Sequence, residues 1–137
     1  MKAERFLDTN IVVYATSKDP SDASKKETSL TLMREPGIGL SAQVVQEFFH
    51  VATRKDRLGI SFEAAEKVVA CLHMFPILPI TYTLVHQAIK TSKLYQIGYF
   101  DAAIIEAARQ LGCSVVYSED LNHGQDYGGI KVVNPFA

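Results

Sequence analysis

Short apolar runs alternate along the chain with longer stretches whose apolar residues recur at helical spacing. Phe6-Leu7 runs into Asp8-Thr9-Asn10, a polar break that ends a strand and caps the helix begun by Val12, Val13 and Tyr14. Pro20-Ser21-Asp22 opens a second helical stretch that reaches Arg34 and is ended by Pro36-Gly37. Ile38-Gly39-Leu40 reads as a short strand, and Ser41 as the cap of a helix carrying Val44, Val45, Phe48, Phe49, Val51 and Ala52. Ser61 starts another helix, running through Val68, Val69 and Leu72 and stopping before Pro76. Ile77 to Ile80 reads as a brief strand, which Pro79 places at an edge or an end, and Thr81 to Leu94 as a helix with Leu84, Val85, Ala88 and Ile89 on one side. Phe100, Ala103, Ile104, Ala107, Ala108 and Leu111 form the apolar face of a last helix, closed by Gly112. Ser114 to Tyr117 is then a buried strand, and Ile130 to Val133 the final one.

Strands alternating with helices predict an α/β fold, a three-layer α/β/α sandwich with a central, mainly parallel sheet of about five strands. The 137 residues carry no linker, internal repeat or low-complexity segment, so one domain over 1–137 is expected. Ligands of such sheets lie beyond the carboxyl ends of the strands, where the winding reverses. Chemistry is therefore to be sought there.

Composition narrows the picture only a little. A net charge of -1 gives no global attraction to nucleic acid, so any such contact must be local. Cys71 and Cys113 lie in apolar stretches without pairing or metal-ligand spacing, which predicts reduced core thiols and a cytoplasmic location. The first residues lead straight into Phe6-Leu7 with no apolar leader, and the apolar stretch from Val68 to Ile80 is broken by His73, Pro76 and Pro79. A soluble protein without a membrane partner is expected.

Four acids occupy informative places. Asp8 ends the first strand, and Asp120 follows the Ser114 to Tyr117 strand, so both stand at carboxyl ends. Asp101 opens the last helix; the pattern asks the preceding loop to bring it to the same rim. Glu47 flanks the buried arc of its helix, where no lysine or arginine lies within a turn to offset its charge. Taken singly, each has a plainer role as a helix cap, first-turn acid, boundary residue or turn residue. Together they form an oxygen-only set that suits Mg²⁺ or Mn²⁺ and not zinc. Glu119 and Asp126 are further acids near the last position and leave the fourth ligand open. His50, His73, His86 and His123 are scattered, His123 being the one nearest Asp120 in sequence.

With these residues in view, the chain resembles the PIN-domain nucleases and, among them, the VapC-like toxins of toxin–antitoxin modules. Phe6-Leu7-Asp8-Thr9-Asn10 is similar to the family's opening strand and Asp-Thr-Asn turn, and Gln46-Glu47-Phe48 to its helical glutamate. Tyr99-Phe100-Asp101-Ala102-Ala103-Ile104 resembles the start of the helix with the third acid, and Ser118-Glu119-Asp120-Leu121 the closing Ser/Thr-x-Asp. The closing run from Gly128 to Phe136 is also similar, so the resemblance spans the chain and rests on the order of its motifs.

It implies a metal-dependent endoribonuclease in which Asp8, Glu47, Asp101 and Asp120 are the catalytic, metal-ligating set for one or two Mg²⁺ or Mn²⁺ ions. Thr9, Asn10 and Ser118 would orient those acids or their metal waters. The implied partners are RNA, a cognate antitoxin and a second copy in a homodimer. Lys25, Lys26, Arg34, Lys90 and Lys93 are candidates to border a phosphate track, with Arg54, Lys55 and Arg57 the first choice. Two other readings remain: a PIN-like module that binds RNA or protein without cleaving, and a magnesium-dependent phosphatase-type α/β hydrolase. The first predicts loss of one acid, and none is lost. The second needs an aspartate two residues after the first, where Asn10 stands.

Overall fold

The computed structural model describes residues 1–137. Strand β1, Arg5–Leu7, lies at the centre of a five-stranded sheet with the short strands β2, Ile38–Ser41, β3, Ile77–Leu78, β4, Val115–Tyr117, and β5, Lys131–Val133. Their spatial order is β3-β2-β1-β4-β5, and every neighbouring pair is parallel. β3 is an edge strand, where the missing N–H of Pro79 is tolerated.

Helix α1, Thr9–Thr16, starts directly beyond β1, and α2, Ala23–Met33, follows after a 3-10 turn at Pro20–Asp22. Ser41 caps α3, Ala42–Thr53, by accepting the Val44 N–H, and Ser61 caps α4, Phe62–Leu72, by accepting that of Ala64. Thr81 caps α5, Tyr82–Tyr95, in the same way. The last helix, α6, Tyr99–Leu111, ends at Gly112, which adopts the left-handed backbone that glycine takes freely.

The route of the chain sets the layers. β1, β2 and β3 are wound outward in one direction, with α1 packed on α2 and α3, and α3 on α4. From β3 the chain returns across β2 and β1 to reach β4, carrying α5 and α6 with it. Right-handed crossovers in opposite directions place their helices on opposite faces, which gives the expected α/β/α sandwich. The winding reverses between β1 and β4.

A hydrophobic cluster of 25 buried residues fills the space between the layers, with Phe6, Leu7, Leu40, Phe48, Ile105, Leu111, Val116 and Tyr127 among its fully enclosed members. No helix is long and apolar enough to cross a membrane.

Three expectations are corrected. Cys71 is exposed on α4 and only Cys113 is a core thiol, because the apolar run containing Cys71 is wound into a helix whose outer side it occupies. Phe100 is 67% exposed and Ile89 is 53% exposed, so α6 and α5 bury narrower stripes than their apolar residues allow. Asp101 needs no special loop. The Leu111 carbonyl accepts the Ala3 N–H beside the start of β1, so α6 ends at the amino edge of the sheet and begins at the carboxyl edge.

At Gly39, β2 packs closely against the end of α6 and the segment before β1. A Cβ there would lie 2.7 Å from that of Ala3 and 2.9 Å from a Leu111 methyl. Gly39→Ala is expected to lower stability by about 1–3 kcal/mol through overpacking. A thermal or urea melt unchanged from wild type would show that these layers can move apart freely.

Candidate active site

Four carboxylates gather on the carboxyl rim of the sheet at the point where the winding reverses. Asp8 leaves the end of β1, its N–H still donating to the Tyr117 carbonyl at 3.0 Å in continuation of the ladder. Its side chain is only 7% exposed and caps α1, with Oδ1 accepting the Thr9 N–H at 2.7 Å. Oδ2 accepts the Ser118 hydroxyl at 2.8 Å across the β1/β4 boundary. That hydroxyl in turn accepts the N–H groups of Asp120 and Leu121, each at 3.2 Å. One buried serine thus joins the first acid to the turn that carries the last.

Glu47 and Asp120 hang on neutral donors. Glu47, half-buried on α3, accepts the Thr9 hydroxyl on Oε2 at 3.2 Å and the Gln43 amide on Oε1 at 2.8 Å. The same Gln43 amide donates to the Phe100 carbonyl at 3.2 Å, tying α3 to the first turn of α6 where Asp101 stands. Asp120 is exposed and accepts the Asn10 amide at 2.8 Å. Thr9, Asn10 and Ser118 therefore bond three of the four acids directly. Gln43 is the contact that the sequence reading missed. Its signal was a polar residue on the buried arc of an otherwise apolar helix, one turn before Glu47.

No ion pair in the molecule includes any of the four acids. The electrostatic result is a strained rim. Burial, opposed by the Ser118 and Thr9 bonds and reinforced by the charges of Asp120 and Glu47, raises the Asp8 pKa to about 6. Asp101 is also pushed up, by burial and then by Asp120 and Glu47. No three of these side chains are drawn together as a ready-made cage, as expected of like charges with nothing positive between them. All-oxygen donors, negative charge without a cation from the chain and placement at a sheet rim fit a hard divalent cation.

The neighbouring candidates fall away. Glu119 faces from the rim toward α1 and α2, where Tyr14 and Lys25 bond it; burial opposes its ionisation, yet those bonds hold its pKa below the usual range. Lys25 is thereby committed to Glu119 and is not free for a phosphate track. Asp126 accepts the Gly129 N–H within its own turn. His123 accepts the Asn134 N–H through Nδ1, and so serves the carboxyl-terminal segment and not the rim. Of the three basic candidates, Arg54 is held by both oxygens of Asp56.

The sequence matches the PIN domain family over residues 5–125. The chain belongs to the PIN-domain family. A comparison with curated proteins gives no significant sequence match. Solved structures of the same fold include a toxin–antitoxin complex from Klebsiella pneumoniae, at 19% identity and a TM-score of 0.67, covering 96% of this chain and 98% of that one. VapC20 of Mycobacterium tuberculosis, described as a sarcin-ricin loop cleaving toxin, shares 19% identity at a TM-score of 0.66, covering 85% of this chain and 90% of its own. VapBC2 of Rickettsia felis, solved on a promoter DNA fragment, shares 20% identity at a TM-score of 0.62 and covers 93% and 96% of the two chains. In this PIN domain the four acids stand at the switch point of the sheet, where the fold places ligands.

A folded-state pKa above the unfolded one means that Asp8 stabilises the fold fully below about pH 3.8 and loses that contribution as pH rises through about 6. The rise corresponds to about 3 kcal/mol at neutral pH. Asp8→Asn, which keeps the helix cap, is expected to raise the Tm of metal-free protein by several degrees at neutral pH, with the gain shrinking as the pH falls below 6. Equal melting temperatures at neutral pH would show that the buried charge carries no cost.

Proposed function

We propose that this PIN domain is a divalent-metal-dependent endoribonuclease, the toxin of a toxin–antitoxin pair, with Asp8, Glu47, Asp101 and Asp120 as its catalytic and metal-binding residues. The observation that carries this reading is the set of four carboxylates at the switch point, three of them bonded by neutral donors and none paired with a cation from the chain. Mg²⁺ or Mn²⁺, as one or two ions, matches their chemistry.

Such an ion, when bound, lowers the pKa of water and stabilises charge developing at the phosphate. The chain's own residues set the frame for this. Ser118 and the Thr9 N–H hold Asp8, Gln43 and the Thr9 hydroxyl hold Glu47, and Asn10 holds Asp120. These partners fix the direction of each carboxylate before the substrate arrives, so little reorganisation is left for the reaction.

RNA is held by local charge. Arg57 and Lys18 line a polar cavity of about 370 Å³ that Asn10 joins to the rim; Asp19, Asp22 and Asp56 line it too, but neither cation is in an ion pair, which leaves both able to meet a phosphate. Lys55, exposed beside them, extends the same track, whereas Arg54 acts by holding Asp56 and the loop. A cognate antitoxin is the proposed protein partner, supported by the likeness to the Klebsiella pneumoniae toxin–antitoxin complex. A second copy in a homodimer would cover large apolar side chains that α5 and α6 leave exposed, among them Ile89, Leu94 and Phe100.

The purified protein is expected to cleave single-stranded RNA in Mg²⁺ or Mn²⁺ and to stop on chelation. Asp8→Asn and Asp101→Asn each lower the rate by more than the roughly 10- to 100-fold loss typical of an outer partner of a metal. Cleavage in excess chelator, or full activity in both variants, overturns the metal–carboxylate reading. The toxin role is tested separately in cells. Expression is expected to arrest growth, and co-expression of the small protein encoded beside the gene to relieve it; growth unaffected by the active enzyme removes the toxin role while leaving the nuclease intact.

A further inference from the structure

Three consecutive residues after β4 point in three directions. Ser118 is turned inward to Asp8, Asp120 lies on the rim with Asn10, and Glu119 between them reaches outward to the helical layer. Both Glu119 oxygens are occupied. Oε1 accepts the Tyr14 hydroxyl at 2.6 Å, and Oε2 accepts the Lys25 ammonium, which also lies 3.4 Å from the Tyr14 hydroxyl. The ammonium sits 4.9 Å from the centroid of the Tyr14 ring and 5.4 Å from that of Phe136, and these two rings meet edge to face at 5.2 Å. One carboxylate therefore gathers α1, α2, the β4 loop and the carboxyl-terminal segment.

The geometry along α1 gives this cluster its meaning. Asn10 and Tyr14 are four residues apart, on one face of the helix. Asn10 donates to Asp120 and Tyr14 donates to Glu119, so successive turns of α1 hold successive residues of the loop. Asp120 itself is exposed, with a single side-chain donor and one backbone tether, the Ser118 hydroxyl. The inner side of the loop is fixed by the Ser118 hydroxyl, which also accepts the Leu121 N–H, and by the buried Leu121 side chain. The Glu119 anchor fixes its outer side, directly beside the exposed Asp120.

We infer that Tyr14, Lys25 and Glu119 are positioning residues that hold the Asp120 carboxylate on the rim in the orientation from which it takes a divalent cation. Glu119 is then not an alternative ligand but the counterweight of one. The inference rests on the four-acid reading above, and it assigns a role to three residues outside that set.

The test is Mn²⁺ binding to the full-length protein, followed without substrate by the electron paramagnetic resonance signal of the free ion, with single-stranded RNA binding in chelator and the melting curve as controls. Tyr14→Phe, Lys25→Met and Glu119→Gln are each expected to weaken Mn²⁺ binding about tenfold while the fold and the metal-free affinity for RNA persist. In an Asp120→Asn background, Lys25→Met is expected to add nothing, since its effect passes through Asp120. Three outcomes overturn the inference: wild-type Mn²⁺ affinity in Lys25→Met, losses that simply add to that of Asp120→Asn, or loss confined to Glu119→Gln, which would make Glu119 a ligand. A wild-type protein that takes up no Mn²⁺ fails differently, because it removes the four-acid reading itself.

Discussion

The hydroxyl of Ser118 is the contact on which the candidate site depends. It donates to Asp8 beyond β1 and accepts two N–H groups from the turn beyond β4, so a single buried atom spans the boundary where the sheet reverses its winding. A carboxylate buried as deeply as Asp8 is costly without partners. Here it has two neutral donors and no cation, enough to fix its place but not enough to restore the pKa of a free aspartate. The same constraint stabilises a geometry and destabilises a charge.

Around this point the support is graded by depth. Asp8 is nearly enclosed, Glu47 and Asp101 are half-buried, and Asp120 is exposed. The deeper acid is held by the first turn of α1 and by a strand end, the more exposed one by an asparagine and the conformation of its loop. Each of Thr9, Asn10 and Gln43 reaches an acid from a helix that begins at the carboxyl rim. Helix starts, not strands, therefore supply most of the fine positioning, while the sheet supplies the common edge.

Most of the ion pairs in the fold lie away from the rim acids. Arg54 is bound to Asp56, Lys25 to Glu119 and Arg109 to Glu106, whereas Lys18 and Arg57 make no ion pair, although Asp19, Asp22 and Asp56 line the same cavity. A chain with a net charge of -1 has no general attraction for a polyanion, so the few cations left free near the rim matter more than the total. Arg109 shows the structural alternative: it clamps the Tyr127 and Gly128 carbonyls and shapes the loop before β5.

The order of elements was legible in the sequence because local chemistry dictates it. Ser41, Ser61 and Thr81 cap the helices they precede, Gly112 ends the last one, and Pro79 marks an edge strand. Asp8, Glu47, Asp101 and Asp120 were legible as candidates for the same reason, since strand ends and helix starts converge on one rim in a doubly wound sheet. The positions of Cys71, Phe100 and Ile89 were not, because periodicity names an apolar stripe without saying how much of it a neighbour covers. Nor could one-dimensional reading distinguish Asp120 from Glu119 or Asp126, or a free arginine at 57 from a committed one at 54. Asp120 and Glu119 differ in partners 94 to 110 residues away, Asn10 for the one and Tyr14 and Lys25 for the other, and only the folded sheet brings these together; Asp126 and Arg54 are set instead by local loop conformation, through Gly129 and Asp56. Sequence determined the elements and the kinds of charge available; tertiary structure decided which charges meet, because pairing across a parallel sheet is set by topology and not by neighbourhood.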